Sequence, residues 1–487
     1  MKKTPLKIAA AVACSAAAAS CQGSDKQPNV IIMIADDISA SDFGCYGSPN
    51  VHTPNIDRLA SEGVRFTNAI LSTSSSSPSR CSIITGRYPH NTGACELHGT
   101  LDPSLTNIAG LLRANGYYTA QAGKWHFGEA KGGIRQDFDV SGKGKIKEDG
   151  VSGSERWIQR LEERPADKPF FMWLASHDAH RPWDNDQSME RYDPESLEVS
   201  HFYVDDAPTR EDLANYYYEV SRFDRSVGQV VDELKKQGIY DDTMIIIMAD
   251  NGRPFPRAKT RLIMEGIRTP LIVHYPKIMK KTAGQVCNSL VSVIDIAPTV
   301  AEAAGAQAPD SFQGRSFLSL LSAPEKEFRT YAFAEHNWHD FEAYERMVCT
   351  QDCLLIENGR PELNAEGAID IMSGGAGQSL LKAWQAGELD PMRADIFVTP
   401  RSKTEMYFYR TDLEQLENLS ETDTAKAEEM LNVLHKWQEE TCDDLPDDLT
   451  HDWYSRETME KLDGHGVRGT MPGSASGAVA CRNSGAF

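Results

Sequence analysis

The chain has 487 residues and a formal net charge of −21, because 71 aspartate and glutamate residues outnumber 50 lysine and arginine residues. Such an acidic chain, with no long basic stripe, is not expected to bind nucleic acid. The length allows a large core, and we expect one big domain followed by a smaller one.

The first residues are typical of an export signal. Three lysines within the first seven residues precede an apolar run, residues 8–19, which is too short to span a bilayer. The sequence AASC at 18–21 resembles a bacterial lipobox, so cleavage of a signal segment 1–21 would leave a lipid anchor on Cys21. Cleavage nearby by an ordinary signal peptidase is the alternative. Both interpretations predict a bacterial protein exported to the periplasm or the outer surface.

Ten cysteines are present, of which Cys14 and Cys21 belong to the signal region. The other eight show no paired C-x-x-C spacing, so a zinc site is not expected. Cys349 and Cys353 are close enough in sequence for a local disulfide, with free buried thiols as the alternative.

Four apolar runs predict strands that are buried on both faces. They are Asn29–Ala35, Phe170–Ala175, 244–249 and 270–275. Amphipathic segments between them predict helices after Thr53, near 105–112, from Thr209 to Gly238 and near 294–304. This alternation indicates an α/β fold with a large, mostly parallel sheet flanked by helices.

Toward the C-terminus the segments become shorter and more polar, which predicts a smaller α+β domain. It includes a predicted strand at 406–409 and a helix at 425–437. We place the catalytic α/β domain at 28–344 and the C-terminal α+β domain at 345–462. Residues 463–487 are rich in glycine, serine and alanine, and we expect a flexible tail.

The segment 72–87, STSSSSPSRCSIITGR, has the strongest indication of chemistry. Pro78 suits the first position of a short helix, and Gly86 is a natural stop. Ser76 and Ser77 would then lie at a helix N-terminus, where free backbone donors favour an anion. Arg80 adds a forked cation that suits a tetrahedral oxyanion. The alternative is an ordinary serine-rich surface loop.

Oxygen ligands follow two of the predicted strands. Asp36 and Asp37 come directly after the first strand, and Asp250 and Asn251 follow the strand 244–249. Ligands of α/β sheets bind beyond the carboxyl ends of the strands, so these side chains are expected to meet. Their oxygens suit Ca²⁺ or Mg²⁺ and not zinc. A helix cap or a solvated turn is the alternative for either pair.

Several motifs resemble those of the sulfatase family. They are SSPSR at 76–80 followed by TGR at 85–87, GKWH at 123–126 and TPNIDRLASEGVRF at 53–66. In that family the first residue of the signature is oxidised to formylglycine, whose hydrate is the nucleophile. The resemblance implies that Ser76 is the precursor, because only this serine has the required spacing to Pro78 and Arg80. It also implies an alkaline-phosphatase-like fold.

The same resemblance assigns roles to the other site residues. Asp36, Asp37, Asp250 and Asn251, together with Ser76, would bind Ca²⁺, with Mg²⁺ less favoured. Lys124 and His126 would contact the sulfate and the nucleophile. Arg80, Lys124 and a further basic residue would neutralise the sulfuryl oxygens.

The remaining assignments rest on looser similarity. In SHDAHRPW at 176–183, His180 is preferred over His177 as the general acid near the leaving group. The further basic residue is Lys259 or Arg261. The segment 250–262, DNGRPFPRAKTRL, resembles the heparan N-sulfatase (sulfamidase) branch, and this resemblance favours Lys259. That branch also implies sugar contacts from His339, Asp340 and Arg346.

These features together predict an exported sulfatase that releases sulfate from a glycan. Glycosaminoglycan and mucin-type sugars are both candidates, N-sulfoglucosamine among them. A serine precursor would need a formylglycine-generating enzyme of the anaerobic kind. One alternative is a phosphatase or phosphodiesterase of the same superfamily with unmodified Ser76, although the oxygen ligands argue against its usual zinc set. The other is a non-catalytic glycan-binding protein.

Overall fold

The structure, a computed structural model, describes residues 27–143 and 150–487. The predicted signal segment 1–21, with the expected lipid site at Cys21, lies outside the described residues. Two main sheets organise the described chain, one of eight strands and one of four.

The strands are short and are distributed along the chain between residues 29 and 407. In order they are β1 (Asn29–Ala35), β2 (Val64–Phe66), β3 (Ala69–Ile70), β4 (Tyr118–Gly123), β5 (Val140–Ser141), β6 (Phe170–Ala175), β7 (Thr243–Ala249), β8 (Leu271–His274), β9 (Val286–Cys287), β10 (Val291–Ser292), β11 (Ala332–His336), β12 (Glu345–Cys349), β13 (Leu354–Asn358) and β14 (Thr404–Tyr407).

The helices lie between these strands or after them. In order they are α1 (Pro54–Glu62), α2 (Ser76–Thr85), α3 (Ile108–Ala114), α4 (Trp157–Glu163), α5 (Ala207–Lys236), α6 (Met264–Ile267), α7 (Ile296–Ala303), α8 (Ile369–Ser373), α9 (Gly375–Gln385) and α10 (Thr424–Glu440). The long helix α5 begins before the predicted start at Thr209, because Asp206 caps it by accepting a hydrogen bond from Thr209 N at 3.0 Å.

The large sheet has the order β5-β4-β6-β1-β7-β8-β2-β9. β1 pairs in parallel with β6 and β7, so that Ile32 lies opposite Trp173 and Ile246. β8 is antiparallel to both of its neighbours. The predicted α/β fold with a mostly parallel sheet is therefore confirmed, and the predicted strand at 270–275 is the one that reverses direction.

Helices cover both faces of this sheet, which explains the uninterrupted apolar sequence of its central strands. Val30 and Ile32 of β1 point into one apolar cluster, together with residues of α2, α3 and α7. Ile31 and Met33 point into the other, together with residues of α1, α4 and α5. All of these β1 side chains are completely buried.

The smaller domain is an antiparallel sheet, β11-β12-β13-β14, with α10 packed on it. Met430, Leu434 and Trp437 form the buried face of α10, as predicted from their spacing. Trp437 stacks on Phe333 of β11 with ring centroids 4.9 Å apart. Because β11 pairs with β12, this sheet begins at residue 332, before the boundary that we place at residue 344.

The C-terminal residues 463–487 differ from the flexible tail that their composition predicts. Arg87 Nη2 donates to the carbonyl of Val479 at 2.9 Å, and Asn91 Nδ2 donates to the carbonyl of Ala478 at 2.8 Å. Both donors are buried side chains of the larger domain. A local composition rule does not detect such partners, because they lie nearly 400 residues away in the chain.

Two further expectations concern cysteines and membranes. Cys349 and Cys353 are both free, buried thiols. Among the described residues, no helix combines the length and apolar character needed to cross a membrane.

Candidate active site

The helix α2 carries the serine-rich segment into the interior. It begins at Ser76, before the predicted start at Pro78, and ends at Gly86, whose φ of 62° is left-handed. The Ser76 side chain is buried at the N-terminus of this helix. Its Oγ lies 2.8 Å from Asn251 Oδ1 and 3.2 Å from Asp36 Oδ1. α2 therefore presents Ser76 to the strand ends of the large sheet.

Three carboxylates converge at those strand ends. β1 and β7 are parallel neighbours, so the residues that follow them meet at one edge. Carboxylate oxygens of Asp36, Asp37 and Asp250 lie within 4.8 Å of one another, and all three side chains are fully buried. Asn251 joins them, because its Nδ2 donates to Asp37 Oδ1 at 2.6 Å.

Each of these carboxylates has a different cation as its nearest ion-pair partner. The pairs are Lys124 with Asp36, Arg80 with Asp250 and Lys259 with Asp37. The last two pairs are both 2.8 Å apart. Three cations thus balance three anions, and a bound divalent cation would give the cluster the positive charge that a sulfate requires.

Burial and the neighbouring cations shift the pKa values of these acids in opposite directions. Burial by itself raises the pKa of Asp36. The charges of Lys124, His180 and Arg80 together lower it by more, so the pKa falls well below its usual range. Burial dominates at Asp250 and raises its pKa to about 6, against the opposing charge of Arg80. Asp36 therefore has the lower pKa of these two carboxyl groups, and Asp250 the higher.

Arg80 has a donor that the protein does not use. Its Nε contacts Asp250 at 2.8 Å and its Nη2 lies 3.4 Å from Asp36 Oδ1. Its Nη1 is buried and has no hydrogen-bond partner. A buried donor without a partner is costly, so this atom favours an anionic ligand oxygen in the site.

Two histidines stand together near the end of β4. His126 Nε2 lies 2.9 Å from His98 Nδ1, and its Nδ1 is buried without a partner. Burial, followed by the charge of Lys124, holds the pKa of His126 well below its usual value. His98 was not identified from the sequence, because it lies in a loop with no motif; its backbone N donates to Ser77 Oγ at 2.7 Å.

His180 faces the cations of the site after β6. Its Nδ1 contacts the carbonyl of Arg181, and its Nε2 lies 3.4 Å from Lys259 Nζ and 3.8 Å from Asp37 Oδ2. His177 has a buried Nε2 with no partner. Burial, followed by the charge of Lys124, lowers the pKa of His177 to about 4. The structure thus brings His180 into contact with Lys259.

The two basic candidates of the 257–261 loop point to different partners. Lys259 Nζ lies 2.8 Å from both Asp37 and Asp370. These carboxylates raise its pKa even though burial opposes them. Arg261 instead lies 3.6 Å from Asp395. Lys259, and not Arg261, is therefore the residue that joins the site.

The smaller domain contributes a second group of polar residues. Ligand atoms of His339, Asp340 and Asp370 lie within 4.8 Å of one another. His339 Nδ1 is 2.8 Å from Oγ of Ser75, the residue before Ser76, and Asp340 Oδ2 accepts from Ile369 N at 3.1 Å. Asp370 was not identified from the sequence, because it follows Lys259 by 111 residues without a motif.

Arg346 is the one predicted sugar contact that the structure does not bring to the site. Its Nε and Nη2 contact the carboxylate of Asp443 at 2.6 and 2.8 Å, and its Nη1 donates to Asn337 Oδ1 at 3.0 Å. The side chain is 1% exposed. A buried bidentate pair of this kind has a structural role, so the structure gives no support to the predicted sugar contact of Arg346.

The donor set at the strand ends fits a hard divalent cation. Asp36, Asp37, Asp250, Asn251 and Ser76 offer only oxygen ligands in this group. Among the described residues, no cysteine belongs to any group that could hold a metal. The set suits Ca²⁺ or Mg²⁺ better than zinc.

Comparison with known proteins gives consistent results. The chain matches the family described as Sulfatase over residues 28–306, and the family described as N-sulphoglucosamine sulphohydrolase, C-terminal, over residues 258–357. It is 29% identical over 460 residues to the human N-sulphoglucosamine sulphohydrolase, covering 85% of this chain and 90% of the relative. It is 26% identical over 442 residues to an N-acetylglucosamine-6-O-sulfatase of Bacteroides thetaiotaomicron, covering 68% of this chain and 78% of that one.

A solved structure shares the fold. It is a complex with its substrate D-glucosamine-2-N,6-O-disulfate, and it aligns with a TM-score of 0.65 at 22% identity, covering 85% of this chain and 98% of the other. The sulfatase match extends over more than half of the chain and includes the strand ends and α2. The chain therefore belongs to the sulfatase family and is a hydrolase of sulfate esters or sulfamates.

Proposed function

We propose that this protein removes sulfate from a sulfated glucosamine of the glycosaminoglycan type, with N-sulfoglucosamine as the first candidate, through a formylglycine made from Ser76. The observation that carries the proposal is the position of Ser76. Its Oγ lies at a helix N-terminus, 3.4 Å from Lys124 Nζ and 2.8 Å from Asn251 Oδ1. The similarity to the human sulphohydrolase over most of both chains supports the amino-sugar substrate.

The proposed nucleophile requires a maturation step. Oxidation of the Ser76 hydroxymethyl group to an aldehyde removes two hydrogens, which a serine-type maturation enzyme would accept. Water then adds to the aldehyde to give the hydrate. The N-terminal segment 1–21 supports export of the protein, so we place this step before or during export.

We assign the metal to the carboxylate cluster, with Ca²⁺ as the expected ion. Asp36, Asp37, Asp250 and Asn251 would hold it, and a bound divalent cation there would polarise a sulfate oxygen. The cations Arg80, Lys124 and Lys259 would neutralise charge on the sulfuryl oxygens as the bond to the sugar breaks. The free Nη1 of Arg80 is the donor most directly available for this role.

The two histidines His180 and His126 would act in proton transfer near the sulfuryl group. His180 Nε2 lies 3.4 Å from Lys259 Nζ and would donate a proton to the leaving nitrogen or oxygen. His126, in contact with His98, would assist the later release of sulfate and the return of the aldehyde.

A sulfate-release assay on a panel of sulfated sugars tests the proposal. The protein is produced together with a serine-type maturation enzyme and supplied with Ca²⁺. We expect turnover of N-sulfoglucosamine, loss of that turnover in Ser76→Ala, and retention of it in the matched control Ser79→Ala. Ser79 is suitable because its Oγ is buried on the same helix and has no partner. Equal activity of the two variants would contradict the assignment of Ser76.

A further inference from the structure

Asp370 is a carboxylate of the site that the mechanism above does not use. It belongs to α8 in the smaller domain, whereas the metal-binding acids follow strands of the large sheet. Its Oδ2 lies 2.8 Å from Lys259 Nζ and 3.7 Å from His180 Nε2. It therefore stands next to the proton donor that we assign to the leaving group.

Asp370 is also the more exposed of the two acids that are paired with Lys259. Its side chain is 20% exposed, compared with 0% for Asp37 and 1% for Lys259. The His180 side chain is 33% exposed. His180 and Asp370 thus form an accessible pair, with Lys259 buried behind them.

The carboxylate is held in place before any substrate arrives. Its Oδ1 accepts from Ile371 N at 3.0 Å, and its Oδ2 accepts from Lys259. The start of α8 is fixed in turn by Asp340, which accepts from Ile369 N at 3.1 Å. Such support keeps a recognition group in one geometry.

The ion pair between Lys259 and Asp370 is not required to neutralise the charge of Lys259. Lys259 is already paired with Asp37 at 2.8 Å, so its charge is balanced without Asp370. An additional negative charge beside a pocket for sulfate repels the substrate anion. That cost is offset if the leaving group carries a positive charge that Asp370 can bind.

We propose that Asp370 recognises the leaving group as an amine. This inference rests on the proposed function. The hydroxyl oxygen at residue 76 gives its proton to the Asp36 carboxylate, which lies 3.2 Å from Ser76 Oγ, and bonds to sulfur. The S–N bond breaks and its electron pair stays on nitrogen, which takes the proton from His180 Nε2. The free amine takes a second proton from water, and Asp370 accepts hydrogen bonds from the resulting ammonium. Asp370 thereby selects an amino sugar over a sugar whose leaving group is a hydroxyl.

Product binding tests this selection without turnover. The protein is made without the maturation enzyme, so that Ser76 stays unmodified, and is titrated with glucosamine and with N-acetylglucosamine at slightly acidic pH. Loss of a hydrogen bond between the ammonium and a charged carboxylate should lower the preference for glucosamine about tenfold or more in Asp370→Asn. Asp370→Glu, which keeps the charge, should recover part of the preference.

The matched control is Asp395→Asn. Asp395, like Asp370, is a carboxylate paired with a basic residue of the 257–261 loop, but its partners are Arg257 at 3.1 Å and Arg261 at 3.6 Å instead of Lys259. This variant should keep the wild-type preference. An unchanged preference in Asp370→Asn, or no preference in the wild-type protein, would overturn the inference. Inorganic sulfate serves as a second binding probe. If Asp370→Asn weakened the binding of glucosamine and of inorganic sulfate equally, the role of Asp370 would be purely structural and the inference would also be overturned.

A kinetic measurement separates this inference from the proposed function. In mature protein, Asp370→Asn should lower kcat/KM for N-sulfoglucosamine relative to glucosamine 6-sulfate, whose leaving group is a hydroxyl. If mature wild-type protein released no sulfate from any sugar, the proposed function would fail. The binding comparison would still decide the role of Asp370.

Discussion

The unpartnered donor of Arg80 gives the sharpest prediction for catalysis. In Arg80→Lys the charge beside Asp250 is kept, while the fork that carries Nη1 is lost. A hydrogen bond to a charged group contributes about 1.5–3 kcal/mol, so kcat/KM should fall about 10- to 150-fold. The effect should appear mainly in kcat, because the charge on the sulfuryl oxygens grows in the transition state.

The lysine variant is more informative than alanine. Arg80→Ala would leave Asp36 and Asp250 buried with one cation fewer, which costs about 3–5 kcal/mol of stability. Loss of activity in that variant would then reflect unfolding as much as catalysis.

The matched control is Arg329→Lys. Arg329 is a buried arginine paired with Asp295 at 2.6 Å, outside the site. The assay is steady-state sulfate release, with thermal unfolding measured on the same samples. The control should lose stability but keep its kcat/KM. If Arg80→Lys stayed within about threefold of the wild-type kcat/KM, the role assigned to Nη1 would be refuted.

Three other predictions address the leaving group, the metal and a buried acid. His180→Ala should lower kcat about 10²- to 10⁴-fold on a sulfated sugar but much less on an aryl sulfate, whose leaving group needs no proton; equal losses would contradict the general-acid role. Ca²⁺ at about 100 times its Kd should stabilise chelator-treated protein by about 2.7 kcal/mol in denaturant unfolding, and Asp250→Asn should remove this effect; an unfolding curve insensitive to Ca²⁺ would argue against the site. Burial raises the pKa of Glu366 to about 8 from its usual 4.5, so the folded state holds the proton and stability falls as pH rises between these values. Glu366→Gln should flatten that pH dependence, as measured by urea unfolding at several pH values. If the unfolding free energies of the variant and the wild-type protein fell equally with pH, the role of Glu366 would be contradicted.

The sequence allowed prediction of the part of the site that depends on local pattern. Apolar runs located β1 and β7, and parallel strands place the residues after their carboxyl ends side by side. Asp36, Asp37 and Asp250 could be grouped on that basis alone. Ser76 and Arg80 came from a compact motif on one helix. The carboxylate cluster and the helix that carries Ser76 are therefore encoded by short stretches of sequence.

The rest of the candidate site depends on long-range packing. Asp370 reaches Lys259 from a short helix of the smaller domain, and His98 reaches His126 from a loop without regular structure. No periodicity marks either residue. Arg346 was predicted as a sugar contact from the resemblance to the sulfamidase branch, whereas its partner in the structure, Asp443, lies 97 residues further along the chain.

The central claim is that Ser76 becomes the nucleophile by oxidation. The most direct test is mass spectrometry of the tryptic peptide 66–80, from active protein that was made with a serine-type maturation enzyme. Fragment ions should assign the loss of two hydrogens to Ser76 and leave the neighbouring serines intact. Active protein in which Ser76 is unmodified would contradict the claim and would favour direct attack by the Ser76 hydroxyl, as in a phosphatase.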